Sequence, residues 1–335
     1  MEIGEAKVVD VTEVTQVGEA RREAMSMARE AGLDENDCGR VGIVVTEAAT
    51  NLAKHARHGR LLLQEIDEPS GVLVALAIDG GPGVEHLGSR MNDGYSTAGT
   101  PGTGLGAMAR QANVFDIHSL PGKGTSVFMA VWARQAGRPT SWGSFGGLSV
   151  PRRGETVSGD GWAVRDSKGR RTLLVSDGLG HGFLAHEASV AARTIFLEHA
   201  EAPTTEIVER IHAGLRHTRG AAVAVCRLDP HEGLARFCGV GNISGRIFDG
   251  ERTSGLVSHH GTAGSEARKI QEFSYAWKPG SILVLFSDGL ATRWDLAEYP
   301  GLLQHDPMLI AAVLFRDHAR ERDDVTVVVA RHEGS

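Results

Sequence analysis

The chain is short of cysteine, of aromatics and of unbroken apolar runs, and each shortage closes off a class of protein. Its three cysteines (Cys38, Cys226, Cys238) are scattered, without the paired spacing of a disulfide frame or a zinc site. They read as small buried apolar residues in a reducing compartment. Aromatics make up 5% and interleave with no basic stripe, and the formal net charge is -7, so nucleic acid is not the partner electrostatics favours. No apolar run approaches the ~20 residues of a membrane span. The N-terminal MEIGEAKVVD is charged from its second residue and lacks the apolar core of a signal peptide. The expectation is a cytoplasmic protein that engages neither membrane nor nucleic acid.

The rest of the composition is that of an ordinary globular protein, with 41% hydrophobic and 23% charged residues. At 335 residues there is room for two domains, each with its own core. Glycine is abundant, at 43 residues, and punctuates loops. The polar stretch from Arg134 to Ser141, carrying Gly137 and Pro139, marks the expected boundary: a first domain over 1–134, a linker over 135–140 and a second domain over 141–335. Apolar spacing predicts helices over 15–32 and from Asp34 or Asn36 to about His55. It predicts strands at Leu61–Glu65 and Val72–Asp79, a glycine-rich flexible loop over 80–103, a short helix from Leu105, and strands at Val114–Ser119 and Thr125–Trp132. The second half predicts strands at 172–176, 221–227, 235–239, 244–248, 281–286 and 325–331, with helices near 183–199 and 204–217. Many strands with paired helices make an α+β pattern. The fold expected is a mixed sheet with helices on one side, then a two-sheet sandwich flanked by helices.

The first domain carries the parts of a nucleotide pocket. Glu47, Asn51 and His55 fall at i, i+4 and i+8 and so project from nearly one helix face. Asn51 offers a hard, neutral oxygen to Mg²⁺. Glu47, one turn earlier, can take a proton from an attacking hydroxyl. Asp79 ends an apolar strand, where it can accept from an exocyclic amine, and Gly81 and Gly83 follow in DGGPG. Gly102, Thr103, Gly104, Leu105 and Gly106 precede a short helix whose amides can hold phosphate. Alone, each motif is weak: a glutamate and asparagine on a helix are usually a solvated face, and DGGPG is usually a turn. Their order and spacing together favour the nucleotide.

This first run, from Gly18 to Arg134, resembles the GHKL (Bergerat) ATP-binding domain of bacterial anti-sigma factors and switch serine kinases, close to the RsbT-like kinases. The matching text is VTEAATNLAKHA, IDGGPG, DGYST, GTGLGA and PGKGTSV. The resemblance implies an α/β sandwich in which Asn51 binds Mg²⁺ with ATP, Glu47 is the candidate base, Asp79 reads adenine and Thr125 supports that contact. Lys54 and His55 would border the phosphates or simply face solvent. Relatives phosphorylate, or only bind, a small STAS-domain protein.

In the second domain four aspartates, Asp160, Asp177, Asp288 and Asp323, stand at expected strand ends. Like charges converge in a fold only around something positive. All-oxygen donors argue for Mg²⁺ or Mn²⁺ rather than zinc. Two such ions could activate a water and polarise a phosphate ester. Gly178, after Asp177, would let its carbonyl approach a metal. Any one Asp-Gly pair is more often a turn. Asp324 reads equally as a solvated neighbour or as an acceptor behind the site, and His181 as a loop-orienting residue ahead of an acid catalyst. Gly239–Asn242 reads as a turn, with a contact to substrate as the lesser alternative.

These residues resemble the SpoIIE-type branch of the metal-dependent serine/threonine phosphatases, especially its compact RsbX-like members. The matches are VSGD, VSDGLGHG, GVGNISG, LFSDGL and RDDVTVVVAR, from about Ser141 to Arg331. The resemblance implies an α-β-β-α sandwich with Asp160, Asp177, Gly178, Asp288 and Asp323 as ligands of two Mn²⁺ or Mg²⁺ ions and water as nucleophile.

Together the halves predict a bifunctional partner-switching regulator, a kinase and a phosphatase acting on STAS-domain proteins, with a sigma factor or a downstream phosphatase as further partners. In the alternative, the first domain is a non-catalytic, nucleotide-dependent binding module and only the phosphatase is catalytic. Kinase and phosphatase acting on one residue would only consume ATP, so distinct targets or nucleotide gating is expected.

Overall fold

The computed structural model describes residues 4–66, 71–84, 104–138, 142–320 and 322–334. It divides by packing into two units. One holds Ala6–Thr140 and Asp295–Asp317; the other holds Met1–Glu5, Ser141–Trp294 and His318–Ser335.

The first unit begins with β1 (Lys7–Asp10), α1 (Thr15–Glu30) and α2 (Glu35–His55). Asp34 caps α2 by accepting from the Asp37 amide at 2.8 Å. Glu35 and Asp37 lie in the first turn of α2 and Lys54 and His55 in its last, as the helix dipole favours. Then follow β2 (Arg60–Ile66), β3 (Val72–Asp79), α3 (Gly104–Gln111), β4 (Val114–Leu120) and β5 (Gly124–Trp132). The sheet runs β1-β2-β3-β5-β4. Every pairing in it is antiparallel, so the mixed sheet expected from the sequence is corrected. β4 and β5 follow one another directly, whereas α1 and α2 separate β1 from β2, and α3 and β4 lie between β3 and β5. One face, with Leu61, Leu63, Leu73, Ala75, Val127 and Met129, packs on Ala24, Met27, Val41, Val45 and Ala48 of the helices.

In the second unit, β6 (Phe145–Val150), β7 (Asp160–Ser167) and β8 (Arg170–Gly178) lead into α4 (Phe183–His199) and α5 (Thr204–Gly214). After these come β9 (Ala221–Asp229), β10 (Leu234–Val240), β11 (Ser244–Phe248), β12 (Thr253–Gly255), β13 (Glu272–Ala276), β14 (Ile282–Phe286) and β15 (Val325–Arg331). They form two five-stranded sheets, β13-β10-β9-β8-β7 and β12-β11-β14-β15-β6. Phe196, Ile207 and Ile211 of α4 and α5 pack on Leu174, Val223 and Val225 of the first of these sheets.

A cut of the chain at 135–140 does not reproduce these units. The segment from Asp295, including α6 (Pro307–His318), packs with the N-terminal unit. It meets the sheet face opposite the helices: Phe315 lies under the Arg60 guanidinium, Arg316 donates to Ser126 Oγ at 3.3 Å, and Asp116 accepts from the Asp306 amide at 2.8 Å. Helices on one side only is therefore a second correction. The physical reason is legible in β3, whose residues from Val72 to Ile78 are all buried. A strand covered on both faces has no polar alternation. α6 was not expected either, because Pro307 to Phe315 are buried on every side and show no stripe.

Candidate active sites

Asp160 opens β7 and Asp177 lies near the end of β8, and the two are direct partners across the antiparallel pair. The other sheet contributes Asp288, just beyond β14, and Asp323, just before β15. These two strands are neighbours, and their ends are fastened by Ser287 N to Thr326 O at 3.1 Å and Thr326 N to Ser287 Oγ at 2.9 Å. The sheets are tied where they meet: Thr326 Oγ1 donates to Ser149 Oγ at 2.9 Å, and Ser149 Oγ donates to the Asp160 carbonyl at 3.4 Å.

The electrostatics record the convergence. Burial, then the Asp177 charge, pushes the Asp160 carboxyl well above the usual carboxylate range, with Ser287 and Thr326 hydroxyls offsetting part of this. Its Oδ2 is buried and has no hydrogen-bond partner. Asp177 is pushed up to about 7 by burial, then by Asp288, Asp323 and Asp324. Asp288 is raised by burial and Asp323, against Arg320 and the Asn242 amide, which donates to its Oδ2 at 2.7 Å. An orphaned carboxylate oxygen among like charges fits a hard divalent cation. Among the described residues no three such side chains are drawn up as a ready ligand shell. The site is a gathering of strand ends, not a closed set of oxygens.

The adjacent aspartates differ. Asp324 is buried and accepts from the Arg152 amide at 2.7 Å and the Gly159 amide at 2.9 Å. Both its oxygens are occupied in holding the strand that leads into Asp160. Asp323 is half-buried, and its charge acts on Asp177 and Asp288. The two glycines after Asp177 and Asp288 share a packing role. A Cβ on Gly178 would stand 2.1 Å from the Ala185 carbonyl oxygen, and one on Gly289 would stand 1.9 Å from that of Asp324. Only glycine admits such a crossing. His181 pairs with Glu155 at 2.8 Å, a partner with no motif to announce it. Glu5, also unanticipated, accepts from the Ser158 amide at 2.9 Å and meets His186 Nδ1 at 2.8 Å, beside Gly159 and Asp160.

In the first unit, α3 begins against α2. A Cβ on Gly104 would lie 3.0 Å from Glu47 Oε2 and 3.6 Å from Asn51 Oδ1, so bare backbone faces both polar groups. That places the candidate phosphate-loop glycine beside the candidate base and the candidate Mg²⁺ ligand. Leu105 and Gly106 continue α3. Gly102 and Thr103 lie outside the described residues, as does DGYST and most of the loop expected to close over nucleotide. Asp79 ends β3 opposite Thr125 and accepts from the Gly81 amide at 2.6 Å. Burial raises its carboxyl, and the Gly81 amide, Arg316, the Thr125 amide and His55 pull it back in part. Thr125 Oγ1 is 2.8 Å from Ser119 Oγ. Gly83 lies against the Leu120 carbonyl. Lys54 and His55 are exposed at the end of α2.

Comparison with known proteins also divides the chain in two, but by sequence: residues 295–317 fall in the second matched stretch although they pack with the first unit. Residues 11–131 match the model of the histidine kinase-like ATPase domain, and residues 167–333 match that of stage II sporulation protein E (SpoIIE). The serine/threonine-protein kinase RsbT of Bacillus subtilis (strain 168) is 31% identical over 116 residues, 34% of this chain and 87% of RsbT. The phosphoserine phosphatase RsbX of the same organism is 25% identical over 146 residues, 42% of this chain and 70% of RsbX.

The chain belongs to the histidine kinase-like ATPase family in its first part and to the SpoIIE family in its second.

A solved chain from work on the bacterial stressosome, described as a modular system adapted to control secondary messenger signaling, aligns with TM-score 0.53 and 28% identity. It covers 56% of this chain and 98% of its own. The histidine kinase-like ATPase span contains Glu47, Asn51, Asp79, Gly104 and Thr125; the SpoIIE span contains Asp177, Gly178, Asp288 and Asp323 but starts beyond Asp160. Asn242 and Ser287 could have been suspected from GVGNISG and LFSDGL, where each adjoins an expected ligand. Glu5, Glu155 and Arg316 gave no local signal. Among the described residues, no helix is long and apolar enough to cross a membrane.

Proposed function

We propose that the chain is a cytoplasmic partner-switching regulator carrying two opposed activities on STAS-domain proteins. The first unit binds ATP with Mg²⁺ and phosphorylates a serine or threonine; the second hydrolyses a phosphoserine or phosphothreonine.

The observation that carries the reading is the gathering of Asp160, Asp177, Asp288 and Asp323 at one end of two sheets, with a buried oxygen left over. Asp160, Asp177, Asp288, Asp323 and the Gly178 carbonyl are the groups that would hold two Mn²⁺ or Mg²⁺ ions. When bound, such ions supply an activated water and a polarised phosphate ester. Asp324 keeps the Asp160 strand in place, and Asn242 orients Asp288. In the hydrolysis the water oxygen bonds to phosphorus, the ester P–O bond breaks and a water proton ends on the released hydroxyl.

In the first unit Glu47 takes the proton of the attacking hydroxyl while the terminal phosphoryl group of ATP passes to that oxygen, the bond to the bridging oxygen breaks and ADP leaves. Asn51 would hold Mg²⁺, Asp79 accepts from the adenine amine, and the α3 amides from Gly104 hold phosphate. The closeness of Gly104 to both Glu47 and Asn51 favours transfer over a purely binding role. Because both activities on one residue would only consume ATP, the two units act on different residues or partners, or nucleotide gates one of them.

The test is transfer of radiolabel from ATP to a STAS-domain protein. Loss in Glu47→Ala with nucleotide binding intact supports the kinase; undiminished transfer would falsify the role given to Glu47. Metal-dependent hydrolysis of a chromogenic phosphate ester, abolished in Asp177→Asn, is the matching test of the phosphatase.

A further inference from the structure

The loop that leaves Asp177 carries apolar side chains that the fold does not use. Leu179, Phe183 and Leu184 are 58%, 72% and 46% exposed. α4 buries Ala185, Ala188, Ser189, Ala192 and Phe196, a single stripe, and Phe183 lies about half a turn away from it. No core demands a phenylalanine there. Scattered exposed apolar residues are unremarkable, but three within six positions of one another, directly after a candidate ligand, form a patch. The close crossing of Gly178 by the Ala185 carbonyl holds the patch together, since Leu179 and Leu184 are the immediate neighbours of those two residues.

A cation lies beside the patch. Arg219 Nη1 is 3.1 Å from the position a Cβ on Gly180 would take, and the backbone is fixed there by Leu179 N donating to the Gly220 carbonyl at 2.9 Å. Arg219 is exposed and has no carboxylate partner among the described residues. A guanidinium without a partner, beside the loop that leaves Asp177, complements a phosphoryl group.

We propose that Leu179, Phe183 and Leu184, with Arg219, form the docking surface for the protein substrate of the phosphatase unit: a phosphorylated segment with an apolar side chain next to its phosphoresidue. Arg219 meets the phosphoryl group and Phe183 and Leu184 cover the apolar neighbour, so the loop selects among phosphoproteins. The inference rests on the phosphatase reading above, and the experiment separates the two.

The full chain is assayed with Mn²⁺ on p-nitrophenyl phosphate and on a phosphoserine peptide flanked by leucines. The F183S/L184S variant is expected to raise the peptide KM about tenfold, with kcat within about twofold and the small ester unaffected. Arg219→Ala is expected to raise KM for both substrates, with partial recovery in Arg219→Lys. An unchanged peptide KM in F183S/L184S, or equal use by the wild type of a peptide with serines in place of leucines, overturns the docking surface while leaving the phosphatase reading intact. If the wild type cleaves neither substrate, the phosphatase reading fails and the docking surface falls with it.

Discussion

Asp160 and Asp177 stand directly opposite each other on paired antiparallel strands, two carboxylates at one end of a largely buried sheet. Cross-strand like charges are destabilising, and burial of Asp160 aggravates this. The fold maintains the conflict with Ser149, Ser287, Thr326 and Asp324 around it. A pair held together against its own repulsion is relieved by a bound cation or by a retained proton.

Asp160→Asn should therefore make the metal-free protein more stable and less useful. At alkaline pH the unfolding midpoint of the phosphatase unit is expected to rise by roughly 2–4 °C, corresponding to ~1 kcal/mol. Ester hydrolysis should fall by about a hundredfold or more, beyond what loss of an outer-layer partner causes. Calorimetry beside a chromogenic assay checks both; a lower midpoint with activity retained would remove Asp160 from the site.

The neighbouring aspartates should separate cleanly by variant. Asp324→Ala strands the Arg152 and Gly159 amides and is expected to destabilise the unit by ~2–3 kcal/mol. Asp323→Ala should change stability by less than ~0.5 kcal/mol while reducing hydrolysis about a hundredfold. Urea unfolding and rate measurements on the pair decide which residue serves the fold and which the chemistry.

Nucleotide binding should depend on pH through Asp79. Burial raises its folded-state value above the ordinary one, so the proton is held more tightly in the folded protein. The stability it contributes to the nucleotide-free protein is complete below the ordinary carboxylate value and is lost as pH climbs through the raised one. Adenine needs the anion as acceptor, so ADP affinity should increase as pH climbs from the ordinary carboxylate value through the raised one. Titration calorimetry is expected to show the rise in the wild type and a flat, roughly tenfold weaker profile in Asp79→Asn.

Residues 1–134 produced alone should not behave as a clean domain. Leu62, Val74, Leu76 and Phe128 line the sheet face opposite α1 and α2 and are fully buried. Without the 295–317 segment that face is an exposed apolar patch, the usual cause of self-association. Light scattering should find aggregates, and a single-chain version with 295–317 restored by a flexible linker should elute as a discrete species. A monodisperse 1–134 fragment would mean the covering segment is dispensable.

Much of this was legible in the sequence because the residues concerned follow local rules. The Asp34 cap, the helix face bearing Glu47 and Asn51, and the strand end at Asp79 depend on spacing within a few residues. So do the Asp-Gly strand ends at Asp177 and Asp288. What escaped depends on contacts between distant segments. α6 has no stripe to reveal it, since it is apolar all round. The second cover of β3 was visible only as a missing alternation, and that run was read as an ordinary strand. Strands β6, β7 and β13 are short or interrupted by polar residues, and their pairing partners decide them. Glu5 and Arg316 reach their sites across many intervening residues, beyond any window of sequence.

The ATPase-family sheet has a ceiling made from residues inside the SpoIIE-family stretch. That arrangement has consequences for inheritance. A recombination break in the hydrophilic bridge after Arg134 would look harmless in an alignment, yet each product would carry one raw surface. In this chain the two halves are thus joined by more than the short tether after Arg134, since residues 295–317 complete the first unit from within the second stretch.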